Sequence, residues 1–395
     1  MATHKERLVF GLSLNVVALG LVSLFTDIST EMILGILPLF LVYDLGASAA
    51  ILGVIEGIAE STASLLKMAS GWLSDRYGKR KPWITLGYSF STFIKPALAI
   101  STNWLQVLGL RFLDRAGKGV RTSPRDALIA DSTPSEAIGR GFGLHRALDT
   151  TGAFVGPLLT SILLPIYLYR GVFAWSFLPG LIGVLLLVFL VRDRPQMASK
   201  GLKLIVGIRG LPRRFRRYLV AVLLFGLGNF SFSFFILAGN FLLSPKFGEV
   251  GSSQYVVLLY AMMNAVYALA SLPIGILSDK IGKRGILSVG YATFGLTCIG
   301  FALVSGDLLA VAVLFIAAGL FMAMVDTMER AYAADLIPPE LRGTGYGALH
   351  TVNGVADLPA SITAGILWSF FSPLTAFAYG AMLSISAAIV LLMTT

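Results

Sequence analysis

Cysteine is nearly absent from this sequence, with a single residue, Cys298, in a chain of 395. One thiol excludes an internal disulfide and a cluster of thiolate ligands for a metal ion. Charged residues are also scarce: they make up 13% of the chain against 56% hydrophobic residues, and the mean hydropathy is +0.80. A soluble domain cannot bury so much apolar surface, whereas a lipid bilayer accommodates it. The composition therefore indicates a membrane protein.

Long apolar stretches with few charges follow one another along the chain. A membrane-spanning helix needs about 20 mostly apolar residues. The first stretch carries Asp27 and Glu31 and lacks a small-residue cleavage site, so we do not expect a cleavable signal peptide. The twelve predicted spans are 9–41, 50–74, 83–101, 104–130, 141–168, 173–191, 218–243, 252–277, 286–305, 308–330, 344–370 and 374–393.

One polar connection between these stretches occurs twice, with the copies 204 residues apart. Residues 71–81 are GWLSDRYGKRK, and residues 275–284 are GILSDKIGKR. The same offset aligns Asp131 with Asp335 and Gly143 with Gly347. The chain is therefore predicted to be a duplication. The repeat also supports helices in the two more charged spans, four and ten.

Basic residues are concentrated on one side of the predicted membrane. Region 192–217 holds nine Lys or Arg residues against one acid, Asp193, whereas the loops on the opposite side contain only Arg170 and Lys246. By the positive-inside rule, we expect both termini and this linker to be cytoplasmic. The formal net charge of +10 then reflects topology and anionic lipid, and no nucleic-acid partner is expected. Residues 202–209 have the pattern of an interfacial amphipathic segment.

The repeated loops resemble the signature loop of the major facilitator superfamily, which lies between its second and third and its eighth and ninth helices. The resemblance covers the whole chain. It implies an all-α membrane protein of twelve transmembrane helices, in two six-helix bundles related by pseudo-two-fold symmetry around a central cavity. We expect an N-terminal bundle over 1–191, a basic cytoplasmic linker over 192–217 and a C-terminal bundle over 218–395, as a monomer in the cell membrane.

Each repeated loop is predicted to act as a conformational latch. Its glycines allow a tight reversal and close backbone approach, and its Asp can accept hydrogen bonds at a helix N-terminus. Arg80 and Arg284 can reach the acids at the cytoplasmic ends of spans four and ten. The alternative is that the basic residues only anchor the topology. The predicted latch residues are Gly71, Asp75, Gly78, Arg80, Asp131, Gly275, Asp279, Gly282, Arg284 and Asp335.

A second resemblance lies in span five. Gly143, Gly152, Gly156 and Pro157 fit Gly-x8-Gly-x3-Gly-Pro, which is similar to a motif of proton-coupled drug exporters in the superfamily. The family pattern continues with two glycines where this chain has Thr and Ser at 160–161. The resemblance implies export, and the alternative is tight helix packing without directional meaning.

Span four carries a third resemblance, to the Arg-x-x-Gln-Gly-x-Gly element of the superfamily. Arg111 matches its first residue, and Asp114 and Arg115 replace its Gln and first Gly. The resemblance implies a part for Arg111 in proton transfer.

Ionisable side chains at membrane depth are costly and are candidates for function. Asp27 and Glu31 share one face of span one. An acid whose surroundings change between inward- and outward-facing states can bind and release a proton, so we expect Asp27 to carry the proton, with Glu31 as second choice. The alternative is a permanent ion network that holds the bundle together. The predicted proton-coupling residues are Asp27, Glu31, Arg111, Asp114 and Asp149.

Other polar side chains within the spans are predicted to contact the substrate. We expect His145 to be satisfied by its helix neighbours if it has no such role. The aromatic residues expected to line the C-terminal half of the cavity are Phe230, Phe232, Phe234, Phe235 and Tyr260. The predicted substrate-binding residues are Glu56, Glu60, Arg115, His145, Arg146, Asn229, Asn264, His350, Asn353 and Asp357.

The leading hypothesis is a proton-coupled antiporter that exports small amphipathic organic molecules by alternating access. One alternative is transport of an organic anion held by Arg111, Arg115 and Arg146, and another is a metal ion held by carboxylate and imidazole groups. A non-transporting receptor or an enzyme is a distant alternative, since no nucleophile elbow, phosphate loop or Cys/His metal spacing is present. No bound cofactor and no resident metal are expected.

Overall fold

The computed structural model describes residues 8–9, 12–133, 138–194, 211–337 and 342–393, and nearly all of them are helical. Helices satisfy every backbone polar group internally, which a segment inside the bilayer requires. A short antiparallel pair of strands, β1 (Leu8–Val9) and β2 (Leu12–Ser13), precedes the first helix. The segment predicted to be amphipathic, 202–209, lies outside the described residues.

Thirteen helices follow one another in the described ranges. A π-helical turn, Phe40–Asp44, follows α2, and a 3-10 helix, Lys95–Ile100, follows α4. The helices are α1 (Leu14–Leu34), α2 (Leu37–Leu39), α3 (Ala49–Tyr77), α4 (Lys81–Ile94), α5 (Trp104–Asp131), α6 (Ile138–Trp175), α7 (Phe177–Leu190), α8 (Arg213–Gly228), α9 (Ser233–Ile281), α10 (Lys283–Leu303), α11 (Leu308–Leu336), α12 (Arg342–Phe370) and α13 (Pro373–Met393).

Seven stretches of helix in the described ranges have the length and hydropathy to cross a membrane. Two of these stretches each contain two predicted spans, and the chain turns between the two spans. At these turns the backbone leaves the helical conformation, at Leu168 (φ 53°) inside α6 and at Gly248 (φ 70°) inside α9. The three remaining predicted spans lie in α4, α5 and α12, which are shorter or more polar. The predicted all-α membrane fold is confirmed.

Predicted span seven is interrupted between α8 and α9. Residues 229–232 are not helical, and Asn229 ends α8 with φ −84° and ψ 73°. Gly226 and Gly228 precede the break, and glycine lowers helix stability by about 1 kcal/mol per residue relative to alanine. The sequence therefore weakens the helix where the break occurs.

The helices form two compact units. The first unit comprises residues 1–33, 65–101 and 105–204, and the second comprises 34–64, 102–104 and 205–395. Residues 34–64, from the N-terminal repeat, thus belong to the second unit. The predicted domain boundaries at 191 and 218 stay a prediction, and most of the linker between them lies outside the described part of the chain.

Each unit has its own apolar core. In the first, Leu19 of α1, Tyr88 of α4 and Leu187 of α7 are almost completely buried in one cluster. In the second, the rings of Phe230, Phe294 and other residues pack within about 6 Å of each other. Phe230, Phe234 and Phe235 are at most 2% exposed, so they belong to this core instead of lining a cavity as predicted.

Inside the second unit, the first part of α3 packs directly on α12. A Cβ atom at Gly53 would overlap the main-chain oxygen of Ser361, and one at Gly365 would overlap that of Ala49. The hydroxyl of Ser61 donates to the main-chain oxygen of residue 354 at 2.7 Å. Glycine is required at these positions because the two backbones are in contact.

Candidate proton-coupling and substrate site

Two of the predicted proton-coupling acids meet inside the first unit. The carboxyl groups of Asp27 on α1 and Asp149 on α6 lie within hydrogen-bonding reach of each other. Their approach depends on the glycines of α6. A Cβ atom at Gly152 would lie 3.0 Å from Cβ of Asp27, and one at Gly156 would lie 2.8 Å from Cβ of Glu31. Two carboxylates in contact repel each other unless a proton lies between them, so this arrangement can hold a proton.

The two acids differ in their other partners. Asp149 accepts a hydrogen bond from the hydroxyl of Ser23 at 2.6 Å and pairs with Nη1 of Arg146 at 3.2 Å. Nη1 of Arg125 approaches the same serine hydroxyl at 3.4 Å. No ion pair to Asp27 occurs in the described ranges, and the cation that acts on its charge is that of Lys118. Asp27 is therefore the member of the pair whose charge is less well compensated.

A second polar cluster surrounds Asp114 on α5. Its carboxylate accepts a hydrogen bond from Ser91 of α4, and it lies 3.4 Å from Nη1 of Arg111 and 3.8 Å from Nε of Arg115. Both arginines are at most 2% exposed. The structure thus gives Arg111 the partner Asp114, and Asp149 pairs with another arginine.

Lys95 joins this cluster from the 3-10 helix that follows α4. It is 1% exposed, and its Nζ atom donates to the hydroxyls of Ser29 at 3.1 Å and Thr30 at 2.8 Å on α1. Its charge, like those of the two arginines, acts on Asp114. Three buried cations from two segments of the first unit thus lie around the carboxylate of Asp114.

A small cavity adjoins the Asp114 cluster. It has a volume of about 10 Å³ and is lined by Thr30, Lys95, Arg111 and Asp114 together with apolar side chains. A polar cavity of this size has room for one water molecule. It is too small for an organic substrate, but a water there would connect the hydroxyls of α1 with the ion pairs of α5.

His145, one turn before Asp149 on α6, is 5% exposed. Its Nε2 atom has no hydrogen-bond partner within the described ranges, so the expectation of a fully satisfied histidine is not met. The charged groups that act on it are those of Arg125, Asp149, Asp126 and Arg146.

The predicted substrate-binding residues fall into two sets. Arg115, His145 and Arg146 belong to the first unit, and the seven others belong to the second. Glu56 is 1% exposed and lies beside the break in span seven, where the hydroxyl of Ser231 donates to its Oε2 atom at 3.5 Å. The remaining side chains are buried at Asn264, half-buried at Glu60, Asn229, Asn353 and Asp357, and exposed at His350. Within the ranges that the structure describes, no group of three His, Cys, Asp or Glu residues is placed to hold a metal ion.

One buried acid, Glu329 of α11, was not among the predicted site residues. It is 7% exposed, and its carboxylate accepts hydrogen bonds from the hydroxyl of Tyr291 at 3.0 Å and from Nδ2 of Asn353 at 2.9 Å. The sequence signal was an acid within an apolar span, but counting residues from the span end placed it near the cytoplasm.

The first latch loop has the contact that its sequence predicts. Nε of Arg80 lies 3.5 Å from Oδ2 of Asp131, and Nη1 of Arg80 donates to Ser74 at 2.7 Å. Gly78 has φ 64°, a conformation that favours glycine, and a Cβ atom at Gly71 would lie 3.2 Å from Cβ of Ser123 on α5. The side chain of Asp75 lies outside the described residues.

The start of α4 is capped by Asp193, whose Oδ1 atom accepts from the backbone N–H groups of residues 80 and 81 at 3.1 Å each.

The second latch loop is paired differently from the prediction. Asp335 contacts Lys283 at 2.7 Å, whereas Arg284 donates to the main-chain oxygens of Leu391 (3.0 Å from Nε) and Leu392 at the end of α13. The expected contact between Arg284 and Asp335 is therefore wrong, because Arg284 satisfies carbonyl groups that a helix end leaves without partners. Gly282 has φ 92°, and no atom lies within 4 Å of the Cβ position at Gly275. The side chain of Asp279 is not among those described.

Comparison with known proteins agrees with this architecture. The sequence model of the Major Facilitator Superfamily matches residues 19–248 and 240–395. An uncharacterized MFS-type transporter of Methanocaldococcus jannaschii is 37% identical over 384 residues, which are 96% of this chain and 95% of the relative. The crystal structure of the nucleoside transporter NupG superposes with a TM-score of 0.80 over 96% of this chain and 98% of that one, at 14% identity.

Some relatives have names that state a substrate class. The cis,cis-muconate transport protein of Acinetobacter baylyi is 24% identical over 315 residues, which are 76% of this chain and 74% of that protein. The multidrug resistance protein MdtG of Proteus mirabilis is 29% identical over 166 residues, which are 41% of this chain and 40% of that protein.

Proposed function

Because the chain belongs to the major facilitator superfamily, we propose that it is a proton-coupled secondary active transporter in which Asp27 carries the proton. The contact between the carboxyl groups of Asp27 and Asp149 is the observation that carries the proposal. Asp149 has an ion pair with Arg146, and no ion pair to Asp27 occurs in the described part of the chain, so the proton belongs on Asp27.

The proton controls the contact between α1 and α6. With a proton on Asp27, the two carboxyl groups attract each other through a hydrogen bond. Without it, two negative charges lie in contact and repel each other. Gly152 and Gly156 hold the helices so close that this repulsion is not relieved by distance alone. Protonation therefore favours one arrangement of the two helices, which is what coupling to alternating access requires.

The substrate class that the charges favour is a small organic anion. Lys95, Arg111 and Arg115 lie around Asp114, and guanidinium and ammonium groups are the side chains that bind carboxylates. The relative that transports cis,cis-muconate, a dicarboxylate, is similar over three quarters of its length.

Export of small amphipathic molecules is the second candidate. Two glycines of the span-five motif that resembles that of drug exporters, Gly152 and Gly156, lie against Asp27 and Glu31. The similarity to a multidrug resistance protein supports this candidate over a shorter part of the chain.

The setting of the transporter follows from its charge distribution. We infer a monomer in the cell membrane, with both termini and the basic linker in the cytoplasm, where the positive-inside rule places clusters of Lys and Arg.

Transport by purified protein in liposomes tests the proposal. The probes are radiolabelled cis,cis-muconate and the lipophilic cation tetraphenylphosphonium, each offered with an imposed pH gradient and without one. We expect muconate to accumulate with the gradient in the wild type. Asp27→Asn removes one coupled proton, so accumulation should fall about tenfold for each pH unit of gradient, while exchange of labelled for unlabelled probe continues.

The matched control is Glu249→Gln, which neutralises an exposed carboxylate of the second unit. It should accumulate muconate like the wild type. Full accumulation by a folded Asp27→Asn protein would remove Asp27 from the mechanism. Gradient-driven movement of tetraphenylphosphonium, without that of muconate, would establish the export candidate in place of the anion candidate.

A further inference from the structure

Side chains from three helices of the second unit contact Glu329 of α11. Its Oε1 atom accepts from Tyr291 of α10, and its Oε2 atom accepts from Asn353 of α12. The hydroxyl of Tyr218 on α8 donates to the main-chain oxygen of Glu329 at 2.9 Å. Tyr291 is itself fixed by stacking on Phe225, with ring centroids 3.9 Å apart. The side chain therefore lies in a rigid, aromatic surrounding.

The direct partners of this carboxyl group are neutral. In the part of the chain that the structure describes, no Lys, Arg or His lies within ion-pair distance of Glu329. Asp131 and Asp335, in contrast, are paired with Arg80 and Lys283. A carboxylate that is buried without a cation is costly, whereas a neutral carboxylic acid in the same place is much less so.

More distant charges surround the site on each packed helix. On α11 itself, the nearest are Asp326 and Arg330, both exposed. Asp326 in turn accepts a hydrogen bond from Tyr267 of α9 at 2.9 Å. Among the side chains that the structure describes, the other titratable or charged ones on these helices are Arg213, Arg214, Arg216 and Arg217 at the start of α8, Lys283, Arg284 and Cys298 on α10, Tyr332 and Asp335 on α11, and His350 and Asp357 one turn either side of Asn353 on α12.

The hydrogen bonds around Glu329 fit both of its protonation states. A tyrosine hydroxyl can donate or accept, whereas the amide N–H of asparagine only donates. When Glu329 is ionised, Tyr291 and Asn353 each donate to one oxygen. When it is protonated, Oε1 can donate to the rotated hydroxyl of Tyr291 while Oε2 still accepts from Asn353. Neither state leaves a buried polar atom without a partner.

We propose that Glu329 is a proton-binding site of the C-terminal half, so that transport is coupled to a second proton in addition to the one at Asp27. The proposal rests on the proton-coupled function proposed above. A metal cation fits the site less well, because Asn353 directs an N–H donor toward the carboxylate where a cation would need an oxygen ligand.

Infrared difference spectroscopy of the purified protein tests the site without a substrate. The carbonyl stretch of protonated carboxyl groups is followed from about pH 5 to about pH 9, the range that brackets physiological titrations. A titrating band should be lost in Glu329→Gln and kept in Asp27→Asn. It should also be kept in Asp326→Asn, the matched control, which neutralises an exposed acid one turn away. Identical bands in wild type and Glu329→Gln would overturn the proposal.

If Glu329→Gln does not fold, Tyr291→Phe provides the test in its place. This variant keeps the acid and removes the hydroxyl that donates to ionised Glu329 and accepts from protonated Glu329. Its band should titrate at a different pH from that of the wild type, and an unchanged midpoint would overturn the proposal. A purely structural glutamate that stays ionised would contribute no titrating band, so wild type and Glu329→Gln would give the same spectra.

The number of coupled protons gives a second readout. Each coupled proton multiplies the accumulation ratio of cis,cis-muconate by about ten per pH unit of gradient. Glu329→Gln should lower the ratio by that factor, whereas a structural defect would slow transport without changing the ratio at equilibrium. An unchanged ratio would contradict a second proton. If muconate is not transported at all, the infrared result still decides the role of Glu329, so failure of the two proposals can be told apart.

Discussion

At the scale of single residues, the missing side chain at position 152 decides how closely α6 approaches α1. A Cβ atom there would lie 2.5 Å from the main-chain oxygen of Leu24 and 3.0 Å from Cβ of Asp27. We expect Gly152→Ala to destabilise the folded protein by about 1–3 kcal/mol, because backbone atoms have to move to admit the methyl group. Thermal unfolding in detergent measures the effect.

The matched control is Gly109→Ala on α5, where no atom lies within 4 Å of the Cβ position. This variant should keep or raise the unfolding temperature, since alanine is favoured over glycine in a helix by about 0.5–1 kcal/mol. Equal unfolding temperatures for the two variants would contradict the close contact at position 152.

Residue pairs that a local motif brings together are the ones that the sequence predicts well. The spacing of Gly152 and Gly156 indicates a close helix contact, and the loop motif indicates the pair Arg80–Asp131. The choice between Lys283 and Arg284 as partner of Asp335 depends on where the end of α13 lies, which no local pattern encodes. The surroundings of Glu329 come from four helices and depend on how each helix is rotated.

At the scale of elements, the N-terminus of α4 is capped by an acid from the far end of the same unit. Oδ1 of Asp193 accepts from the backbone N–H groups of residues 80 and 81, and helix N-termini favour negative charge. Asp193→Ala should lower the free energy of unfolding by about 0.5–2 kcal/mol. Asp193→Asn should lower it less, because an amide oxygen still accepts hydrogen bonds. An unfolding temperature for Asp193→Ala equal to that of the wild type would show that the cap contributes nothing.

The interruption of span seven shows why the ends of helices were harder to predict than the positions of the apolar spans. Hydropathy continues across residues 229–232, so an apolar span is predicted there without a break. Gly226 and Gly228 are compatible with either a packed helix or a broken one. The break is decided by tertiary partners, since the N–H group of Ser231 donates to the hydroxyl of Ser361 on α12 at 3.2 Å.

At the scale of the whole molecule, residues 34–64 form one compact unit with the C-terminal half of the chain. The contact of α3 with α12 holds them there through glycines at positions 53 and 365 and the hydrogen bond from Ser61. A transporter that opens its central site alternately to each side has to break contacts between its two repeats in one of its states. This contact joins segments of both repeats, so we expect it to open and close during transport.

Chemical labelling can follow that opening, because the chain has one native thiol, the buried Cys298. In a Cys298→Ala background, Ser61→Cys places a thiol at the α3–α12 contact, where a maleimide reacts only when the contact is open. Adding Gly365→Val forces α12 away from the main-chain oxygen of Ala49. Overpacking of this kind costs about 1–3 kcal/mol, so the labelling rate should rise about tenfold for each 1.4 kcal/mol.

Gly285→Val, where no atom lies within 4 Å of the Cβ position, should leave the rate unchanged. Equal rates in both variants would mean that this contact is permanent and that the molecule opens elsewhere.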